Sequence, residues 1–233
     1  MTASERDVFV LSLHKVFSLV CVADFPVRWP TFFADVMRLN DNAMSPRMVD
    51  MFYRILKAVD SEVVDREIPH TPVEAERNTM IKDTMRETAV QDLVENWYQT
   101  IIRFETTHTD IVCMCHEVIG AYISWIDISF IANDRFVEIF LRHLRVAPLR
   151  ETAADALSNI VSKGMEPVAK IKLVESYMEV LEAANLACPP PDEDVDFVIK
   201  MASLINCMGI QLLDCWKKVR ALYSCDLHRS EFR

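Results

Sequence analysis

Glycine is nearly missing from this chain. Only Gly120, Gly164 and Gly209 occur among 233 residues, where average usage near 7% gives roughly sixteen. Glycine supplies the positive-φ turns of hairpins and the close backbone approach of phosphate-binding loops. Three scattered glycines can build neither a nucleotide-binding phosphate loop, nor a dinucleotide-binding turn, nor a nucleophile elbow. The fold class expected is all-α. A long apolar run is also lacking. Val16 to Ala23 is interrupted by Ser18 and flanked by Lys15 and Asp24, far short of the roughly 18 residues of a membrane span. The opening MTASERD does not have the basic-then-apolar layout of a signal peptide. No excess of positive charge exists either: the net charge is −10, so on average the chain repels polyanions. Nucleic-acid binding then requires a local basic stripe or a second protein. Seven cysteines, an odd number spread from Cys21 to Cys225, read as buried thiols in a reducing compartment, cytosol or nucleus.

What is present is helical periodicity. Arg6 to Ala23 carries Val10, Leu13, Phe17 and Val20 at spacings of three and four, and Pro26 stops it. Pro30 to Leu39 reads as a short helix. Ser45-Pro46 opens a helix to Val59, with Val49, Phe52, Tyr53 and Leu56 inward. After the Pro69–Pro72 turn a long helical region runs from Val73 to Phe104, with a break near Thr88. Thr109 to Trp125 places Val112, His116, Ile119 and Ile123 on one face. Asn133-Asp134 caps a helix reaching Arg145. Pro148 opens Leu149 to Ser162, where Ala153, Ala156, Leu157, Ile160 and Val161 form a narrow stripe. Gly164 stands where a helix C-cap glycine belongs, and Pro167 starts a helix to Ala184. Cys188 to Asp194, rich in proline and acid, is the linker, and a last helix runs from Val195 to Tyr223. These make about four and a half antiparallel pairs in one segment, residues 1–233. The pattern fits a HEAT-type α-solenoid and also a single helical bundle.

Phe25-Pro26-Val27-Arg28-Trp29-Pro30-Thr31-Phe32-Phe33 fixes a tight corner with proline and offers Trp29, Phe32 and Phe33 as apolar plugs. It resembles a signature of exportin-1-like domains. Asp50 to Trp97 narrows the match. Its polar set, Asp60-Ser61-Glu62, Asp65-Arg66 and Ile81-Lys82-Asp83-Thr84-Met85-Arg86-Glu87, is more particular than an amphipathic helix needs. That stretch, with Gly120 to Asp127, Asn133 to Phe136, Leu149 to Glu151, Lys163 to Val168, Lys172 to Ser176 and Glu193 to Phe197, resembles the exportin-T family of nuclear tRNA export receptors. The resemblance runs from about Phe9 to Trp216.

The resemblance implies a HEAT solenoid that binds tRNA together with GTP-bound Ran in the nucleus and releases it on hydrolysis in the cytoplasm. It also implies nucleoporin contacts and shuttling through the pore, with no catalytic residue, metal, cofactor, membrane or small-molecule substrate. Members extend further, by about two helix pairs before Arg6 and an arch after Tyr223. A chain of this length is expected to be a fragment or a truncated product with little cooperative binding left. In such a solenoid the second helix of each pair lines the concave side. Arg135, Arg142 and Arg145, at i, i+7 and i+10 with His143 beside them, are therefore candidate tRNA backbone contacts. Lys82 and Arg86 form a second pair, flanked by Asp83 and Glu87. A solvated face with intrahelical pairs such as Glu138–Arg142 is the plainer account of these charges.

Three further features carry plainer readings still. Lys217-Lys218-Val219-Arg220 reads as basic bias at a helix C-terminus. Cys113 and Cys115 point roughly 160° apart on a helix, so they cannot share a metal ion. Asp192, Glu193, Asp194 and Asp196 read as a solvated connector. The alternative function is a karyopherin-like adaptor whose acidic surface takes a protein cargo with basic segments.

Overall fold

Side chains at helix ends set the element boundaries in the computed structural model, which describes residues 3–41, 45–64, 69–188, 190 and 192–230, with side chains described from residue 13 to 220. Among them stand ten α-helices and no strand. The chain divides into two compact units, Met1–Phe130 and Ile131–Arg233.

In the first unit, α1 (Ala3–Asp24) is followed by α2 (Phe32–Met37), a 3-10 turn at Arg38–Asn40, and α3 (Pro46–Val64). The aromatic corner between α1 and α2 packs edge to face. Phe25 meets Phe33 at 5.0 Å, and Phe32 meets both Trp29 and Phe33 at 5.1 Å. The Trp29 indole donates to Asp35 at 2.8 Å. On α3 the expected Val49, Phe52, Tyr53 and Leu56 are all buried, with Ile55, Val59 and Val63. This helix is the spine of the unit, packed by α1 on one side and α6 on another.

A capping box starts α4 (Pro72–Thr88). Thr71 Oγ1 accepts from the Glu74 N–H at 3.3 Å, and Glu74 accepts from the Thr71 N–H at 2.8 Å, with Pro72 in the first turn where no N–H is needed. A single residue, Ala89, separates α4 from α5 (Val90–Phe104), one position from the expected break. α6 (Thr109–Ile123) buries Val112, His116, Ile119 and Ile123 as anticipated. Tyr122 donates to the Leu56 carbonyl at 3.1 Å and lies 5.4 Å from Trp97, tying α6 to α3 and α5.

The inward face of α1 differs from expectation. Ser18, Cys21 and Val22 are buried, while Leu13, Phe17 and Val20 are half-buried; the side chain of Val10 lies outside those described. The helix is apolar around most of its circumference, so periodicity alone cannot choose a side. Ser18 fits inside because its hydroxyl donates to the Lys15 carbonyl at 2.9 Å.

The second unit holds α7 (Asp134–His143), α8 (Arg150–Ser162), α9 (Pro167–Ala183) and α10 (Val195–Ser230). Asn133 caps α7 by accepting from the Phe136 N–H, and Glu166 caps α9 by accepting from Val168 and Ala169 at 2.9 and 2.7 Å. The stripe Ala153, Ala156, Leu157, Ile160 and Val161 is buried as expected and lets α8 lie close to α10. Gly164 is not a left-handed cap: α8 ends at Lys163 in extended backbone, and no described glycine has positive φ. The left-handed residue is Asn185, φ 57°, at the end of α9. There the Asn185 N–H reaches the Glu182 carbonyl at 3.0 Å and the Leu186 N–H reaches Leu181 at 2.8 Å, a Schellman motif. Asp65 and Arg66, named above, and Pro189 and Pro191 of the linker lie outside the described residues.

Candidate nucleic-acid interface

Binary patterning on α7 separates its two sides. Phe136, Ile139, Phe140 and His143 are buried, and Arg135, Glu138 and Arg142 are exposed. From Arg135 to Arg142 the helix advances about 10 Å. Arg145 is exposed too, in the turn that follows, where its N–H continues to the Arg142 carbonyl at 3.1 Å. The three arginines thus share the solvent side of the α7 region, with Glu138 among them. His143, expected beside them, turns inward and is 2% exposed, because position 143 falls on the stripe of Phe136, Ile139 and Phe140.

Lys82 and Arg86 lie on α4, in the first unit. Lys82 is half-buried and Arg86 exposed. Arg86 sends Nε and Nη2 to the Trp125 carbonyl at 3.0 and 2.9 Å, pairs through Nη1 with Asp83, and stands 5.6 Å from the Trp125 ring centre. The Trp125 indole donates to Asp60 at 2.9 Å. Glu62 pairs with Lys15, and its carbonyl accepts from Asn78 at 3.3 Å. Much of the polar set that distinguishes Asp50 to Trp97 therefore stitches α3, α4 and the end of α6 together.

Lys217 to Arg220 is not at a helix end. The run has no breaker, so α10 continues to Ser230; Lys218 pairs with Asp214 at 2.7 Å and Arg220 stacks over Trp216 at 5.2 Å. Cys115 is buried and donates to the Trp97 carbonyl, and burial pushes its thiol up to about 12. The acidic connector is partly anchored. Arg150 pairs with Glu193 at 2.9 Å and Asp194 at 3.6 Å while stacking over Phe197 at 4.2 Å. The Asp194 backbone N–H, and behind it Arg150, hold the Glu193 carboxyl below the usual range.

Not anticipated from the sequence is a cleft of about 340 Å³ between the 3-10 turn and α5. Asp92, Glu95, Asn96 and Gln99 supply one wall at helical spacing, a row legible on its own. The other wall, Asn40 and Asp41, lies more than fifty residues earlier, and no local signal joins the two.

Helices paired face to face by short connections and polar stitches, with charge mostly on outer faces and Lys170 a buried exception, fit a scaffold of HEAT type. The Exportin 1-like protein family matches residues 7–157, and the chain belongs to that family. Its fold class is accordingly all-α, consistent with a HEAT-type solenoid. It is similar to Exportin-T of Homo sapiens, 48% identical over 205 residues, which are 88% of this chain and 21% of that protein. Exportin-T of Danio rerio is 47% identical over the same shares, and that of Dictyostelium discoideum 33% identical over 89% of this chain and 18% of its own length. The chain spans about a fifth of the length of these relatives.

Proposed function

We propose that this chain is a segment of a nuclear tRNA export receptor. It binds tRNA cooperatively with GTP-bound Ran and releases it when GTP is hydrolysed in the cytoplasm. The observation that carries this reading is the 48% identity to human Exportin-T, sustained over 88% of the chain. The whole of residues 1–233 acts as one HEAT-repeat segment, shuttling between nucleus and cytoplasm by way of nucleoporin contacts. Its work is binding; no turnover is assigned to it.

Arg135, Arg142 and Arg145 contact the tRNA backbone, supported by their common exposure along α7 and the turn that follows it. Lys82 and Arg86 contribute a lesser patch, since two Arg86 donors already serve the Trp125 carbonyl. Arginine suits this task because its planar fork donates twice to one phosphate. An acidic protein can hold RNA this way because recognition is of shape and backbone, assembled from local patches.

Replacing Arg135, Arg142 and Arg145 together by alanine tests the assignment. Affinity for mature tRNA is expected to fall about tenfold or more, and the slope of log K against log salt to shrink by roughly one per phosphate contact removed. Unchanged affinity and slope in a filter-binding titration contradict it.

A further inference from the structure

Helix α10 carries two apolar sides, and its own unit covers one of them. Phe197, Met201, Leu204, Met208 and Cys215 are buried, where α10 packs on α8 and α9. Lys200 pairs with Asp155 of α8 at 2.7 Å, and Gln211 accepts from Lys170 of α9 at 2.6 Å. On the other side Val195, Ile199, Ile210, Leu213 and Trp216 are each more than half exposed. Helical rotation puts Val195, Ile199, Ile210 and Leu213 within about 60° of arc, with Asn206 on the same line. Residues 195–217 span roughly 33 Å of this face.

The stripe reads alike from either end. Ile199 stands seven residues before Asn206 and Leu213 seven after it; Val195 and Asp196 lie near one end, Trp216 and Lys217 near the other. Two copies laid antiparallel about a two-fold axis at Asn206 set Ile199 against Leu213, Val195 against Trp216 and Asp196 against Lys217, each contact made twice. Charge supports that direction. The start of α10 is acidic and residues 217–220 are basic, so antiparallel pairing joins opposite signs and parallel pairing joins like ones. Arg150 already engages Asp194, and Asp214 engages Lys218, so exposed Asp196 and Lys217 carry the match. Near the axis, a Cβ at Gly209 meets nothing within 4 Å. Packing inside the chain gives no use for a residue that weakens a helix interior, whereas a second backbone closing on Gly209 does.

We propose that this face of α10 binds a second copy of the chain, antiparallel, in a symmetric dimer. The two Asn206 carboxamides meet at the axis, where each donates to and accepts from the other. They fix the register as a polar residue in an apolar seam does. A helix seam of this length, counted on both copies, removes on the order of 1,000 Å² from water, the size at which a specific interface begins.

Sedimentation velocity of the full chain, from low to high micromolar concentration, tests this. A reversible shift from 26.9 kDa toward twice that mass is expected. Leu213→Glu, which sets a carboxylate against Ile199 at two places, is expected to raise the dimer Kd about tenfold or more. Val168→Glu, at a half-exposed position on α9, is expected to change it less than about twofold. Asp196→Lys and Lys217→Glu are each expected to weaken the dimer about threefold, and the two together to restore it, because each exchanged charge again meets its opposite. Such recovery cannot come from misfolding. A monomer at every concentration overturns the proposal. Equal losses in Leu213→Glu and Val168→Glu mean diffuse apolar association, and a double exchange no better than the single ones means another register; either overturns it. Growth beyond the dimer mass does so too, as does capture of the monomer by phosphatidylcholine vesicles, which assigns the stripe to a lipid surface. No readout involves tRNA or Ran, so failure here is distinct from failure of the export reading.

Discussion

Lys170 is the most instructive single residue. It is 4% exposed between α9 and α10, and its ammonium donates to Gln211 at 2.6 Å. Burial pushes its pKa below the ordinary lysine value. The unfolded chain keeps this proton up to the ordinary value, while the folded chain releases it earlier. Stability therefore rises with pH between those two values, and the full cost of the buried charge is present below both. Lys170→Met is expected to stabilise the chain by about 1 kcal/mol at neutral pH. That advantage shrinks as pH climbs toward the lysine range, and urea midpoints at pH 7 and pH 10 measure it. Asn185 is the other telling position. Its left-handed backbone favours glycine, so Asn185→Gly is expected to gain about 0.5–1 kcal/mol, whereas Asn185→Val loses about 1–2 kcal/mol, both readable as shifts of the denaturation midpoint. The sequence offered Gly164 for such a role because a glycine after a helical stripe is a common cap. Asn185 escaped because nothing local distinguishes it from a solvated asparagine.

At the scale of elements, legibility follows how local the chemistry is. The break at Ala89, expected one position earlier, the Asn133 cap and the small-residue stripe of α8 depend on residues within a few positions and could be read directly; the capping box at Thr71 is as local, but the Pro69–Pro72 turn drew the reading instead. The inward side of α1 could not, because Val16 and Leu19, about half exposed, are as apolar as the residues packed beneath them. The role of Arg86 was hidden for another reason. Its acceptor is a main-chain carbonyl 39 residues away, and no side-chain pattern announces a backbone partner. Arg86→Lys keeps the charge but forfeits the two-pronged contact. It is expected to cost about 1–2 kcal/mol of stability while lowering tRNA affinity less than twofold. A thermal melt and a tRNA titration on the same variant separate the stitching role from the RNA role.

Across the whole molecule, composition restricts what binding can look like. With a net charge of −10, affinity for a polyanion has to come from confined patches such as the exposed face of α7, and from a partner that binds alongside. The polar set between Asp50 and Trp97 was legible as unusual, and family membership was legible from it; the structural duties of many of those residues emerged only from the packing. The cleft at Asn40 was not legible, since it joins Asp41 to Asp92 across most of the first unit. Carriers that take two ligands by reciprocal linkage strengthen each by the same factor. The most direct test of the proposed function is the anisotropy of fluorescent mature tRNA titrated with this chain, with and without GTP-locked Ran, at two salt concentrations. A small but measurable tightening with Ran present, as suits a chain with little of the cooperative surface left, and weaker at the higher salt, is the expected result. Affinity for tRNA that is indifferent to Ran, or absent in every condition, contradicts it.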